Sequence, residues 1–230
     1  MNIEISEFIE GAKQSRGLTV IIDVFRAFSV ECYAIDSGAL KIIAAGEVAD
    51  AIELKKRYPK AVLVGERDEK KIKGFDFGNS PTEIIKADLA GKTVIHTTTA
   101  GTNGLVNASN ADSIITGSFV NASAVAGYVR EIAPSHVSLV AMGYRAEESA
   151  EEDLLCAEYM EALIRGRALD IKQRIADLKD TSGKRFFKPE NIDFSPPTDF
   201  FLCTMTNRFN FVLKAQRRFD GNFDMERIDI

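Results

Sequence analysis

The sequence predicts an α/β protein: a three-layer α/β/α sandwich in which helices cover both faces of a mostly parallel sheet. Three observations predict this fold. Short apolar, β-branched runs recur along the first two thirds of the chain, helical patterns lie between them, and polar or glycine clusters follow most of the runs. Continuous apolar runs are typical of strands buried on both faces. Their alternation with helices is typical of a parallel sheet, and 230 residues suit one domain over 1–230.

Each predicted strand is a short apolar run. In chain order they cover 18–22, 41–45, 61–64, 93–96, 113–116 and 137–142. The predicted helices cover 48–58, 121–132 and 154–164, with stop signals at Pro59, Pro134 and Gly166. In the last third, the patterns predict a helix at 168–178, a loop at 180–197 and two strands at 200–204 and 209–213.

The C-terminal part, 168–230, is rich in phenylalanine: nine of the fifteen Phe residues lie beyond residue 185. Aromatic side chains mixed with Lys and Arg can stack the bases of single-stranded nucleic acid. The favoured interpretation is that they close one end of the core or form a subunit contact, as in a homodimer. The net charge of −5 supports this interpretation, because nucleic-acid and membrane-surface proteins usually carry a basic excess.

Composition limits the chemistry and the compartment. Two histidines exclude a zinc site built from several imidazoles and a serial histidine relay. The three cysteines are widely spaced and form no CxxC pair, so we expect reduced thiols. No signal peptide and no apolar stretch of membrane-spanning length is apparent, and the expected location is the cytoplasm.

Polar clusters follow five of the predicted strands. They are 23–27, 65–68, 97–102, 117–122 and 143–145. In open parallel sheets, ligands bind outside the carboxyl ends of the strands. We therefore expect these clusters to meet at one edge of the sheet and to form the functional site.

The clusters supply carboxylates, arginines and a hydroxyl-rich loop. Asp23 directly follows a buried strand, where a nucleophile or metal ligand is common, and Arg26 could meet the same phosphate. The structural alternative for this pair is an Asp that caps a helix N-terminus and an Arg on the surface. Glu66 and Arg67 occupy the corresponding position after another strand, and their structural alternative is a local ion pair.

Other cluster residues are candidates for binding an anion. Gly101 lets the backbone approach a ligand, and the hydroxyls and helix-start N–H groups around it can bind phosphate. This loop contributes Thr97, Thr98, Thr99, Gly101 and Thr102. Further candidates, each with an ordinary structural alternative, are Asp76, Asn79, Ser118, Asn121 and Arg145. For Ser118 and Asn121, the favoured alternative is a helix-capping device.

For two more residues, the surrounding sequence is weaker evidence of a functional role. Asp153 points toward an apolar helix face and needs a partner, which a metal or an arginine would provide. His96 ends a strand beside the Thr loop, and a hydrogen-bonded position near the core is favoured over a catalytic one. Together, the acids, arginines and hydroxyls indicate phosphate chemistry with a hard divalent ion, for which Mg²⁺ is suited.

Several motifs in this order resemble the 2-phosphosulfolactate phosphatase family, whose enzymes serve coenzyme M biosynthesis. The motifs are DVFRA at 23–27, GER at 65–67, GFDFGNSP at 74–81, the segment 92–102, the 117–122 segment, and Glu152-Asp153. The resemblance implies a three-layer α/β/α fold and Mg²⁺-dependent hydrolysis of a small phosphate monoester. It departs at Ala100, where the family pattern has Asn, and in the acidic 144–150 segment.

The polar clusters at the strand ends, taken together with the resemblance, predict roles for the candidates. Asp23 would be the nucleophile or principal metal ligand, with Glu66 and Asp153 helping to hold Mg²⁺. Arg26, Arg67 and the Thr loop would bind the phosphate, and Arg145 would help with the other acidic groups of the substrate. The alternative is a non-catalytic protein that binds small anions on the same fold. A nucleotide-linked oxidoreductase is disfavoured, because no strand is followed by GxGxxG.

Overall fold

All six strands predicted from apolar runs are present in the computed structural model, which describes residues 1–230. The ten strands are β1 (Asn2–Glu7), β2 (Gly17–Ile22), β3 (Lys41–Ala44), β4 (Val62–Arg67), β5 (Lys70–Lys71), β6 (Thr93–Thr97), β7 (Ala111–Gly117), β8 (His136–Ala141), β9 (Phe211–Arg217) and β10 (Phe223–Asp229). Strands β1, β5 and β10 were not predicted from the sequence. Of these, β1 and β5 are the two edges of the sheet, and both have largely exposed residues.

Nine α-helices connect or cover the strands. They are α1 (Phe8–Gln14), α2 (Ala27–Asp36), α3 (Val48–Arg57), α4 (Pro81–Ile84), α5 (Gly101–Asn107), α6 (Ala122–Ile132), α7 (Glu151–Ile164), α8 (Lys172–Asp177) and α9 (Pro197–Cys203). The three predicted helices at 48–58, 121–132 and 154–164 are confirmed as α3, α6 and α7.

The strands form one mostly parallel mixed sheet in the order β1-β8-β2-β7-β9-β10-β3-β6-β4-β5. Two blocks are internally parallel: β1-β8-β2-β7 and β3-β6-β4. Between them lie β9 and β10, whose three successive antiparallel pairings reverse the strand direction from one block to the other. The expectation that all polar clusters share one edge of a parallel sheet is therefore wrong in its geometry.

Sheet twist explains how loops from both blocks can still meet. Neighbouring strands rotate by roughly 20–25°, so the five steps from β2 to β6 accumulate about 100–125°. An accumulated rotation of this size would bring two opposed blocks closer to a perpendicular arrangement. The loops after β2, β4, β6 and β8 thus converge on one cleft.

Helices cover both faces of the sheet, as predicted for a three-layer sandwich. Alternate side chains of a strand point to opposite faces. In β2, Ile21 belongs to an apolar cluster with Phe28 of α2, whereas Val20 and Ile22 belong to a second cluster with Val125 of α6. A third cluster packs α3 against β3, β4 and β6.

The C-terminal part contains the main error in the predicted elements. Residues 200–204 were expected to be a strand, but most of them lie in helix α9. Pro197 occupies the first turn of α9 and Asp199 follows it there, which are both favourable at a helix start. The apolar run of this segment is therefore a buried helix face, a distinction that short runs do not make.

Two of the C-terminal phenylalanines close the core near the β2 loop. Phe186 and Phe200 are buried, and their ring centroids lie 5.0 and 5.6 Å from that of Phe25. The core-closing interpretation holds for these two residues. Phe201 and Phe219 are exposed. No helix combines the length and apolar character needed to cross a membrane.

Candidate active site

A polar cleft lies where the loops after β2, β4, β6 and β8 meet. Its lining comes from these loops, from the 74–81 loop and from one C-terminal residue. The lining residues are Asp23, Phe25, Arg26, Glu66, Asp68, Glu69, Asn79, Thr99, Ala100, Gly143, Tyr144, Arg145 and Arg185. Charged side chains of both signs dominate this surface, so the cleft suits a small polar ligand.

Asp23 lies at the end of β2 and is only 5% exposed. Its Oδ1 accepts a hydrogen bond from the Ala27 N–H at 3.1 Å, at the start of α2. Burial raises its pKa from 3.8 to about 6, and the negative charges of Glu66 and Glu152 add to the increase. Gly101 passes close to this carboxylate, since a Cβ there would lie 2.9 Å from Oδ2.

Two further carboxylates surround Asp23. The Glu66 Oε1 accepts the Thr99 N–H at 2.7 Å, and its Oε2 accepts the Glu69 N–H at 2.8 Å. Glu152 is buried, and its Oε2 has no hydrogen-bond partner. The helix that carries Glu152, α7, has Ala150 as its N-cap, and the neighbouring Ser149 hydroxyl donates to Glu7. The Oε1 of Glu152 lies 3.9 Å from the Arg185 guanidinium, so Glu152 is a weakly paired acid next to the cleft.

Asp153 has a different partner from the metal or arginine expected from the sequence. Its Oδ1 accepts the Val24 N–H at 2.8 Å, and its Oδ2 accepts the Gly143 N–H at 2.9 Å. It does not line the cleft. Burial and the charges of Glu152 and Asp23 hold its pKa well above the usual range. Asp153 ties the loops after β2 and β8 together.

The predicted metal ligands are therefore only partly gathered. Asp23 and Glu66 line the cleft, whereas Asp153 lies behind it. No group of three or more His, Cys, Asp or Glu side chains forms a ready-made metal centre. Metal binding here would need fewer protein ligands together with water, which is the usual coordination of Mg²⁺.

Arg26 is held by a residue far along the chain. Its guanidinium donates to Asp199 Oδ2 at 2.7 Å, and both side chains are almost fully buried. Asp199 Oδ1 also accepts from the Ser80 hydroxyl at 2.8 Å and the Thr82 N–H at 2.9 Å. Asp199 therefore connects the β2 loop, the 74–81 loop and α9 into one rigid wall of the cleft.

Two other arginines reach the cleft from its rim. Arg145 pairs with Asp68 at 3.0 Å and is about half exposed. Arg185 is more buried: it pairs with Glu69 at 2.7 Å, and its guanidinium lies 5.2 Å from the Tyr144 ring centroid. Both ion pairs can reorganise around an anion, because their partners are not deeply buried.

The Thr loop contributes mostly internal contacts. Thr99 lines the cleft and donates to Glu66. Thr98 and Thr102 hydrogen-bond to each other, and Thr97 accepts a hydrogen bond from Arg67 at 3.0 Å.

Arg67 also lies outside the cleft lining. It donates to the backbone oxygens of Glu66 and Gly46, and so supports the end of β4. The structure thus places it behind Glu66, whereas the sequence analysis expected it on the phosphate.

Of the remaining candidates, some line the cleft and others lie outside it. Asn79 lines the cleft. Asp76 is exposed outside it and accepts the Leu63 N–H at 2.8 Å. Asn121 accepts the Ser118 N–H at 3.0 Å, the capping arrangement favoured from the sequence, and neither residue lines the cleft.

Three residues at or beside the cleft were not predicted from the sequence: Arg185, Asp199 and Glu69. Arg185 and Asp199 lie in segments with no periodic pattern, and their partners are distant in sequence. Asp199 had one usable signal, because an acid two residues after Pro197 indicates a helix start. Glu69 follows the 65–68 cluster directly and could have been included with it.

A family model described as 2-phosphosulpholactate phosphatase matches residues 3–189. The chain belongs to this family. A probable 2-phosphosulfolactate phosphatase of Bacillus subtilis (strain 168) is 31% identical over 218 residues, which cover 93% of this chain and 92% of the relative. One of Clostridium novyi (strain NT) is 35% identical over 173 residues, covering 75% and 70%. One of Caldanaerobacter subterraneus subsp. tengcongensis is 45% identical over 112 residues, covering 48% and 46%.

The region matched by the 2-phosphosulfolactate phosphatase family includes every residue that lines the cleft. Asp199, which holds Arg26, lies beyond that region. The cleft of this family member is thus built within the matched region and supported by α9 from outside it.

Proposed function

We propose that this protein is a Mg²⁺-dependent phosphatase that hydrolyses 2-phosphosulfolactate to sulfolactate and phosphate. The observation that carries the proposal is the buried Asp23 carboxylate, with its pKa raised to about 6, in a cleft that arginines also line. Family membership supports the reaction class and the substrate. The three free, buried cysteines suit a reducing location such as the cytoplasm.

The residues of the cleft fit a bound Mg²⁺. Asp23 and Glu66 supply carboxylate oxygens, and the unpartnered Oε2 of buried Glu152 supplies negative charge beside them. The negative charges of Glu66 and Glu152 help to raise the pKa of Asp23, and a bound cation would offset their repulsion. When bound, Mg²⁺ would neutralise charge on the transferred phosphoryl group.

Asp23 acts in its deprotonated form. A carboxylate there can attack the phosphorus atom, or it can take a proton from the attacking water. Attack by Asp23 breaks the P–O ester bond and leaves an aspartyl phosphate, which water then hydrolyses to release phosphate. Attack by water, with Asp23 taking its proton, breaks the same bond and releases phosphate directly. In both routes the departing sulfolactate oxygen takes up a proton from solvent. The Arg26 guanidinium is fixed by Asp199 and offers its positive charge to the phosphoryl oxygens without having to reorganise.

The substrate carries a carboxylate and a sulfonate besides its phosphate. Arg145 and Arg185 lie on the rim at the side of the cleft formed by Tyr144. Their guanidinium groups are suited to bind such oxyanions through paired hydrogen bonds. The net charge of −5 does not oppose an anionic substrate, because these cations act locally.

The function is tested by phosphate release from 2-phosphosulfolactate, 2-phospholactate and p-nitrophenyl phosphate, each with Mg²⁺ and with EDTA. We expect the highest kcat/KM for 2-phosphosulfolactate and loss of turnover in EDTA. Tight binding of 2-phosphosulfolactate without any phosphate release would instead support the anion-binding alternative. Equal turnover in EDTA and in Mg²⁺ would contradict the proposed Mg²⁺ dependence.

Replacing Arg185 by Met is expected to raise KM for 2-phosphosulfolactate about tenfold, because a charge-assisted hydrogen bond is lost. KM for p-nitrophenyl phosphate should change little, since that substrate lacks the two extra anionic groups. Steady-state kinetics on both substrates measure the difference. Arg174→Met is the control, because Arg174 forms an exposed ion pair with Glu158 outside the cleft. An equal rise of KM for both substrates would contradict this role of Arg185.

A further inference from the structure

A chain of three buried polar side chains leads from the core to the cleft. The Glu31 Oε1 lies 2.9 Å from His96 Nδ1, and His96 Nε2 lies 3.2 Å from Asn79 Oδ1. Glu31 and His96 are each 1% exposed, and Asn79 is 5% exposed. Of the three, only Asn79 lines the cleft.

Fold stability does not account for this chain. A buried carboxylate is costly unless all its lone pairs find partners, and Glu31 Oε2 has none. An apolar group of similar volume at position 31 would pack in the same place without this cost. The sequence retains the acid on α2, the helix that begins four residues after Asp23, and its contact is the imidazole of His96.

The hydrogen-bond roles follow from the Asn79 amide. Its Oδ1 can only accept, so His96 Nε2 must carry the hydrogen in this contact. With its oxygen occupied by His96, the amide has its NH2 group left for the cleft. In the Glu31 contact, either an imidazolium Nδ1–H donates to the carboxylate or a protonated Glu31 donates to Nδ1, and in both cases the contact fixes the plane of the imidazole.

We infer that Glu31 and His96 are positioning residues that orient the Asn79 amide so that its NH2 group donates to a phosphate oxygen in the cleft. This inference rests on the proposed function for the identity of the phosphoryl ligand. Neither Glu31 nor His96 touches the ligand itself. With the opposite orientation, Asn79 would present an oxygen and would repel the phosphate.

The protonation of His96 is a direct test in the unmodified full chain. The protein has only two histidines, so a long-range ¹⁵N–¹H spectrum of the imidazoles is simple to assign with a His136→Gln variant. We expect His96 Nε2 to carry a proton at neutral pH. An unprotonated Nε2 would overturn the inference, because Asn79 would then donate to the ring and turn its oxygen to the cleft.

Inorganic phosphate, titrated calorimetrically in the presence of Mg²⁺, tests the effect on binding. Asn79→Ala and His96→Leu should each weaken phosphate binding about tenfold, as expected for loss of one hydrogen bond to a charged group. The double variant should bind no more weakly than Asn79→Ala alone, because His96 acts only through Asn79. His96→Gln should keep near-normal affinity, since its amide N–H can replace Nε2–H.

Three outcomes would contradict the inference: additive losses in the double variant, equal losses in His96→Gln and His96→Leu, or no phosphate binding by the unmodified chain. Cys32→Ala is the control for packing defects in α2, because Cys32 is buried beside Glu31 and should leave phosphate affinity unchanged. Failure of the proposed function is distinguishable. In that case 2-phosphosulfolactate is not hydrolysed, while the phosphate titration and the spectrum still report on His96 and Asn79.

Discussion

Replacing Asp23 by Asn is expected to lower kcat for 2-phosphosulfolactate by about a thousandfold or more, because an amide can neither attack phosphorus nor take a proton from water. The change removes the negative charge but keeps an oxygen that can accept the Ala27 N–H. Phosphate release at saturating Mg²⁺ measures the loss. Asp112→Asn is the matched control, since Asp112 is exposed at the start of β7. Near-normal turnover in Asp23→Asn would contradict the assignment.

The same substitution is expected to stabilise the metal-free protein at pH 8. The pKa of Asp23 is 3.8 in its ordinary state and about 6 in the folded protein, so the folded state binds its proton more tightly. The penalty for the buried charge is absent below about pH 4 and complete above about pH 6. At pH 8, removal of the charge should therefore raise the free energy of unfolding by about 3 kcal/mol.

Urea unfolding in EDTA at pH 4 and at pH 8 measures this effect. The stability difference between Asp23→Asn and the unmodified protein should be present at pH 8 and small at pH 4. Added Mg²⁺ should reduce the difference at pH 8, because it stabilises the unmodified protein. A variant that is equally stable or less stable at pH 8 would show that Asp23 is not a strained buried charge.

The second large effect concerns Asp199. Asp199→Ala should lower the free energy of unfolding by about 3–5 kcal/mol, because it leaves the buried Arg26 charge without its partner. It also removes the acceptor for Ser80 and Thr82. Chemical denaturation measures the loss. The exposed pair Arg227–Asp229 is the control, and Asp229→Ala should cost at most about 1 kcal/mol.

A double variant separates stability from activity. Arg26→Met with Asp199→Leu replaces the buried pair by apolar side chains and should recover most of the stability lost in Asp199→Ala. Its phosphatase activity should remain low, because the phosphoryl-binding cation is missing. Activity near normal in the double variant would mean that Arg26 serves only the fold. Equal losses of stability in Asp199→Ala and Asp229→Ala would mean that breaking the buried Arg26–Asp199 pair costs no more than breaking an exposed ion pair.

The strands and helices that the sequence predicted correctly are those whose pattern is local. β2 and β8 are continuous apolar runs, and α3 and α6 have helical spacing with clear stop signals. The error at α9 has the same cause. A short apolar run can be a buried strand or one face of a helix, and packing of Phe200 against Phe25 and Phe186 accompanies the helix here.

For the candidate site too, the residues predicted correctly are those with a local sequence signal. Asp23 and Glu66 were predicted because they directly follow or end a strand, and Arg26 because it lies three residues after Asp23; all three line the cleft. Asp153 also lies at a recognisable helix start, but only the structure shows that two backbone amides occupy its oxygens. A side chain's partner depends on which loop lies opposite it, and that information is not local.

By itself, the sequence determined the fold class, the family and the set of loops that carry the polar residues, because hydrophobic period and motif order are properties of neighbouring residues. The tertiary structure decided how those loops meet. β9 and β10 enter the middle of the sheet and reverse one block, and loops from both blocks line the cleft. It also decided which cations are held in place, since Arg26 and Asp199 are 173 residues apart and pair only when α9 packs against the β2 loop.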